Sequence, residues 1–137
     1  MKREMRLAMV VYAALCLEGL SYGAETELER TLDAIARVES GGNPNAIGDR
    51  GAALGAYQIH EGYWKDGSRF LGVVWPYTDV KDPVKSRRIA RAYLMHYAPS
   101  GSPEVWARIH NGGPLGYKRQ STSGYWKKIS LVLTKTD

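Results

Sequence analysis

Apolar residues recur at helical spacing in four stretches of the chain, each bounded by start or stop signals. In the first, Leu28, Leu32 and Ile35 share one face. Thr26 followed three residues later by Glu29 has the form of a capping box and predicts the helix start there. Gly41, Gly42 and Pro44 end it. The second stretch sets Ile89, Tyr93 and Tyr97 in one row, with Ala90 and Leu94 beside them. Asp82-Pro83 predicts its start, and Pro99 with Gly101 its end. The third opens at Ser102-Pro103, turns Val105, Trp106 and Ile109 inward, and stops at Asn111-Gly112-Gly113-Pro114. The fourth carries Tyr125, Ile129, Val132 and Leu133.

Between these stretches the pattern breaks. Asn43 to Gly55 is rich in Gly, Pro and Asn and predicts turns, or a small hairpin around Gly48-Asp49-Arg50-Gly51. Glu61–Leu71 reads as a short helix or turn, and the residues around Pro76 as a loop. The expected fold class is mainly α (α+β), with a hairpin or irregular insertion after the first helix. No internal repeat or low-complexity segment is present.

The N-terminus stands apart from this pattern. A basic start (Lys2, Arg3, Arg6) precedes the apolar run from Leu7 to Leu20, and Ser21-Tyr22-Gly23-Ala24 supplies small residues for cleavage. Residues 1–23 are therefore expected to be a secretory signal peptide and 24–137 one domain, secreted or periplasmic. An uncleaved membrane anchor or a buried helix is the rival reading. Cys16, the chain's single cysteine, lies in that run, behind a Leu15 that suits a lipoprotein cleavage site poorly. Without the leader no cysteine remains for a disulfide or a thiolate metal site. Stability must then come from packing, to which four Trp and nine Tyr in the chain contribute. Residues 1–23 hold three Lys/Arg and two Glu, so their loss takes the formal charge from +5 to +4. That suits an anionic partner. Nucleic acid is not expected, because the basic residues are scattered and no nucleic-acid motif is present.

Glu39 is the residue with candidate chemistry. At about 100° per residue it falls within roughly 20° of Leu28 and near Leu32 and Ile35. The helix therefore aims this acid along its apolar face, where burial favours the protonated form. A carboxylic acid still protonated near neutral pH is what a general acid needs. The rival reading is a solvated glutamate, or one paired with Arg37 or Arg108. His60 and His110 are not at metal-ligand spacing with other donors, and read as structural or peripheral. No metal or cofactor is expected, and no Ser–His–Asp, Cys–His or phosphate-loop pattern is present.

Three blocks carry a resemblance. Glu39-Ser40-Gly41 … Asn43-Pro44-Asn45-Ala46 … Gly51 … Gly55 … Gln58-Ile59 resembles the lytic transglycosylase and lysozyme superfamily. Tyr57-Gln58-Ile59-His60 … Tyr63-Trp64-Lys65-Asp66 is similar to a block of invertebrate-type lysozymes, as is Ala107-Arg108-Ile109-His110-Asn111-Gly112-Gly113-Pro114 … Thr122 … Tyr125-Trp126. The likeness spans about Leu28 to Ile129. It implies a helical core with a β-hairpin lobe, a groove between them, and peptidoglycan glycan strands as substrate. The bond implied is that between N-acetylmuramic acid and N-acetylglucosamine. Glu39 matches the family's general acid and Asp49 its second carboxylate. Two departures stand out. The family is cysteine-rich, and the Asp49-to-Gln58 interval is about a residue short for it. Asp49 is otherwise a turn residue before Gly51. In that case Glu39 alone serves a lytic transglycosylase as acid and then base.

The same resemblance suggests substrate contacts. Tyr57 and Gln58 are expected to line the groove, with a structural glutamine as the rival for Gln58. Tyr63, Trp64, Tyr125 and Trp126 offer flat faces for sugar rings, although only one or two are expected outside the core. Asn111 is placed at the groove, or else caps its helix. Ser40 either bonds near the acid or caps its helix, and Gly55 permits a close backbone approach or a turn. Two further readings are a non-catalytic wall-binding module and an exported interaction protein. An inhibitor or a secretion-apparatus protein is a conceivable partner.

Overall fold

The computed structural model describes residues 22–136. The predicted leader lies outside the described residues except for Tyr22 and Gly23, which are helical and exposed. Helix α1 is present over 22–40. The capping box expected at Thr26 is not formed. The chain is already helical at residue 22, so Thr26 needs no cap and its hydroxyl donates back to the Tyr22 carbonyl at 3.0 Å. At the other end Gly41 (φ 65°) closes the helix, its N–H bonding Arg37 O, while Gly42 N–H bonds Ala36 O.

The turn-rich segment forms the predicted hairpin, in a minimal version. Strand β1 (Ile47–Gly48) pairs antiparallel with β2 (Ala53–Leu54) around a 3₁₀ turn, Asp49–Gly51. An added Cβ at Gly48 would collide with Gln58 Oε1, so only glycine lets Gln58 lie against the first strand. Gly55 (φ 78°) turns the chain out of β2, and a Cβ there would come within 2.5 Å of the Val80 carbonyl. A single bridge, Leu54 to Ile59, then ties the exit of the hairpin back to β2.

Four helices complete the fold: α2 (Glu61–Leu71), α3 (Pro83–Tyr97), α4 (Pro103–Gly112) and α5 (Ser123–Thr134). The loop expected around Pro76 leads into a 3₁₀ segment, Tyr77–Lys81. Asp82 caps α3 by accepting from Val84 and Lys85 N–H, and Ser102 caps α4 through Val105 N–H, each with proline at the first helical position. Helix α2 packs chiefly on α3, and α4 on α5. Leu28, Leu32 and Ile35 meet Ile89, Leu94, Trp106, Ile109 and Ile129 in one core, each at most 1% exposed. Each such aliphatic side chain contributes roughly 1.5–3 kcal/mol relative to exposure. Tyr97, Val105, Tyr125, Val132 and Leu133 pack around that centre half-buried.

Arg87 on α3 gathers α1 and the segment after the hairpin. Its guanidinium donates to Glu29 Oε2 at 2.6 Å, Asp33 Oδ1 at 2.6 Å and Tyr57 Oη at 3.0 Å. Burial opposes its charge, but the bonds to Glu29 and Asp33 outweigh that and its pKa is raised. One turn further along α3, Arg91 reaches Glu25 at 2.5 Å and Glu29 at 3.3 Å.

Candidate active site

Glu39 is the penultimate residue of α1, where the helical face of Leu28, Leu32 and Ile35 runs out towards the hairpin. Its side chain is 20% exposed. Burial raises its pKa, and the charge on Asp49 adds to that. The Tyr125 hydroxyl, Lys128 and His60 act the other way. Tyr125, on α5, donates to Glu39 Oε1 at 2.7 Å. No described residue bonds Oε2. The carboxyl is thus gripped through one oxygen, and the other is free to carry a proton. Burial, followed by the neighbouring Glu39, raises the pKa of Tyr125, so its hydroxyl stays a donor.

Behind this pair lies a buried polar cluster around His110, so that of the two roles expected for this residue, structural or peripheral, the structural one holds. His110, on α4, has a side chain 3% exposed, with Nε2 3.0 Å from the Tyr57 carbonyl. A carbonyl only accepts, so Nε2 carries the hydrogen. Nδ1 must then accept, and the Tyr63 hydroxyl donates to it at 3.0 Å. Burial lowers the His110 pKa to about 4, against the pull of the Tyr57 carbonyl. The 3.7 Å approach of its Nε2 to Glu39 Oε1 is therefore not an ion pair at neutral pH. The sequence did hold a signal for this role. His110 follows Trp106 by four residues and Ala107 by three, on the buried side of α4.

Asp49 occupies the hairpin tip in a different setting. Its side chain is 68% exposed, and its backbone (φ 46°), like that of Arg50 (φ 56°), is in the left-handed region. Its Oδ2 lies 2.8 Å from Nε2 of His60, a contact the sequence reading did not anticipate.

The remaining candidates divide by burial. Tyr63 stacks on Tyr93 at 3.7 Å between ring centres and joins the His110 cluster through its hydroxyl. Tyr57 is 3% exposed and its hydroxyl accepts from Arg87, which sets it in the core. Trp64 is 1% exposed, its indole N–H donating to the Trp75 carbonyl, which sets it in the core. Gln58 (φ 50°) donates to the Gly55 carbonyl at 3.0 Å. Ser40 donates to Ala56 O at 2.8 Å, stitching the end of α1 to the segment after the hairpin. Asn111 is exposed in the last turn of α4, and Trp126 is partly buried against the core. Structure thus brings Glu39, Tyr125 and Tyr63 together around His110, and Asp49 to the hairpin tip. Among the described residues no three His, Cys, Asp or Glu side chains are grouped to hold a metal ion. None of the described helices is long and apolar enough to cross a membrane.

A helical domain with a half-hidden glutamate beside a short hairpin is the architecture of a lysozyme-type glycosidase, and comparison with known proteins agrees. The chain belongs to the family described as Transglycosylase SLT domain, whose model matches residues 22–132. It is 39% identical over 110 residues to a lysozyme of Magallana gigas, covering 72% of this chain and 74% of that protein. Likeness to an invertebrate-type lysozyme of Ruditapes philippinarum is 30% over 122 residues, or 84% and 88% of the two chains. The crystal structure of inhibitor-bound lysozyme from Meretrix lusoria superposes with a TM-score of 0.63 at 34% identity, over 74% of this chain and 87% of that one. The predicted resemblance and fold class are thereby borne out.

Proposed function

We propose that this glycosidase is a muramidase acting on peptidoglycan glycan strands, with Glu39 as general acid and Asp49 as second carboxylate. The observation that carries the reading is the state of Glu39. It is raised in pKa by burial, held through Oε1 by Tyr125, and unbonded at Oε2 among the described residues. Oε2 would give its proton to the glycosidic oxygen as the bond from that oxygen to the anomeric carbon breaks. The positive charge left on the muramic ring is met by the Asp49 carboxylate. A water then adds to the anomeric carbon, returning its proton to Glu39, and a reducing end is released.

A second reading has specific support. Asp49 is mostly exposed and already engaged by His60, and the family carries a transglycosylase description. In that version the muramic 6-hydroxyl closes on the anomeric carbon, Glu39 takes its proton, and an anhydro end results. The charge balance and the predicted leader suit an enzyme working on an anionic wall in the periplasm or outside the cell. The inhibitor-bound Meretrix lusoria lysozyme makes a proteinaceous or small-molecule inhibitor a partner class to test.

Mass spectrometry of digested, purified peptidoglycan separates the two outcomes, since an anhydro product is lighter by one water. Glu39→Gln is expected to yield neither product. A Glu39→Gln protein that still digests walls at the unmodified rate would overturn both versions.

A further inference from the structure

The hairpin tip and the start of α2 share a contact that local structure does not explain. His60 is the N-cap residue of α2, a position where Ser, Thr, Asp or Asn would satisfy the free helix N–H groups. His60 makes no such cap bond. Its ring crosses instead to Asp49, Nε2 to Oδ2 at 2.8 Å. Both side chains are more than half exposed, so burial does not force them together. Each, however, sits on an anchored backbone. Ile59, next to His60, is bridged to Leu54, and its carbonyl accepts from the Tyr77 hydroxyl at 2.7 Å. The same hydroxyl reaches the Ala52 carbonyl of the hairpin turn at 3.3 Å. Asp49 and Arg50 are held with positive φ, which non-glycine residues avoid unless the surroundings impose it.

We infer that His60 is a positioning residue that fixes the Asp49 carboxylate by gripping Oδ2, leaving Oδ1 directed to the sugar. This rests on the reading of Asp49 as the second carboxylate. Both acids are then held alike, each by a donor on one oxygen with the other free for substrate. The helix N-terminus gives up its cap for that grip.

The trade between cap and grip supplies a test in which structural and positioning roles move in opposite directions. His60→Ser restores a good N-cap and removes the grip. Steady-state kinetics on soluble peptidoglycan oligomers, with thermal melting alongside, are compared for the unmodified chain, His60→Ser, His60→Gln, Asp49→Asn and the His60→Ser/Asp49→Asn pair. His60→Ser should melt higher yet lose about fivefold in kcat, on the order of one hydrogen bond, with KM nearly unchanged. His60→Gln, whose amide N–H still donates, should recover most of the loss. On the Asp49→Asn background His60→Ser should cost nothing further. An unchanged kcat in His60→Ser while Asp49→Asn is impaired would sink the positioning role alone, as would the full fivefold loss persisting without Asp49. Unimpaired Asp49→Asn would instead remove the assignment of Asp49, and the role of His60 with it.

Discussion

Two carboxylate–histidine neighbourhoods lie within electrostatic reach of each other in this domain, built from the same functional groups in opposite surroundings. At the end of α1, Glu39 lies 3.7 Å from His110, one side chain 20% and the other 3% exposed. At the hairpin tip, Asp49 lies 2.8 Å from His60, with 68% and 53% exposed. In the dry pair, burial moves both pKa values towards the neutral form, up for Glu39 and down for His110. In the wet pair both side chains are mostly exposed and bond each other directly, His60 Nε2 to Asp49 Oδ2. The difference teaches that role follows environment and not residue type: the sheltered carboxyl is suited to give a proton, and the exposed one to meet positive charge.

The strongest way to break this contrast is to remove the proton. Glu39→Gln keeps an acceptor for Tyr125 and should cost roughly 10²–10⁴-fold in kcat. It should also stabilise the fold at neutral pH. The raised pKa of Glu39 means that the folded state holds its proton longer than the unfolded chain does. Stability from this group is intact below the ordinary value of 4.5 and erodes as pH rises through the elevated one. Glutamine cannot ionise, so the gain in melting temperature should vanish in acid. An inactive variant showing no such pH-dependent gain would contradict the sheltered setting.

Next in size is Asp49→Asn, expected to lower kcat about tenfold to a hundredfold in a hydrolase and far less in a transglycosylase, because electrostatic help to the cation is lost. A loss larger than that of Glu39→Gln would reverse the assigned roles. Tyr125→Phe sharpens the picture of the dry pair. Its hydroxyl lowers the Glu39 pKa, so its removal should shift the alkaline limb of the pH–rate profile upward, with a few-fold change in kcat. A limb that stays put, or moves down, would show that the hydroxyl does not grip the acid.

The effect read on stability and not on turnover concerns His110. A buried neutral histidine with a folded pKa of about 4 stabilises the protein fully above its ordinary 6.5, and loses that contribution as pH falls from there towards 4. This slope opposes that of Glu39. In His110→Gln, the decline in urea midpoint between neutral pH and pH 4 should be shallower than in the unmodified chain. Equal declines would argue against a buried neutral imidazole.

Much of this contrast was legible in the sequence, for reasons specific to each element. Helices announced by Asp82-Pro83 and Ser102-Pro103 form as read, because capping is local chemistry. The sheltered setting of Glu39 was legible because helical periodicity fixes direction as well as conformation. The hairpin followed from its turn residues. Long-range contacts were not legible. Nothing local says that Tyr125 bonds a carboxylate 86 residues away, or that His60 prefers Asp49 to its own helix. Trp64 reads equally well as a sugar platform and as core, Tyr57 reads as a groove residue, and packing buries both. The supposed start of α1 at Thr26 misled because a capping box signals a helix start only when the chain before it is not helical.

Arg87 joins α1, α3 and the segment that leaves the hairpin through polar bonds, and no cysteine occurs in the described residues. The described scaffold is therefore held by noncovalent contacts alone. Its described residues need no oxidant or disulfide isomerase, and reductants have no covalent link there to attack. Ionic strength becomes its natural solvent lever, since dissolved salt competes for the guanidinium that fastens α1 to the rest.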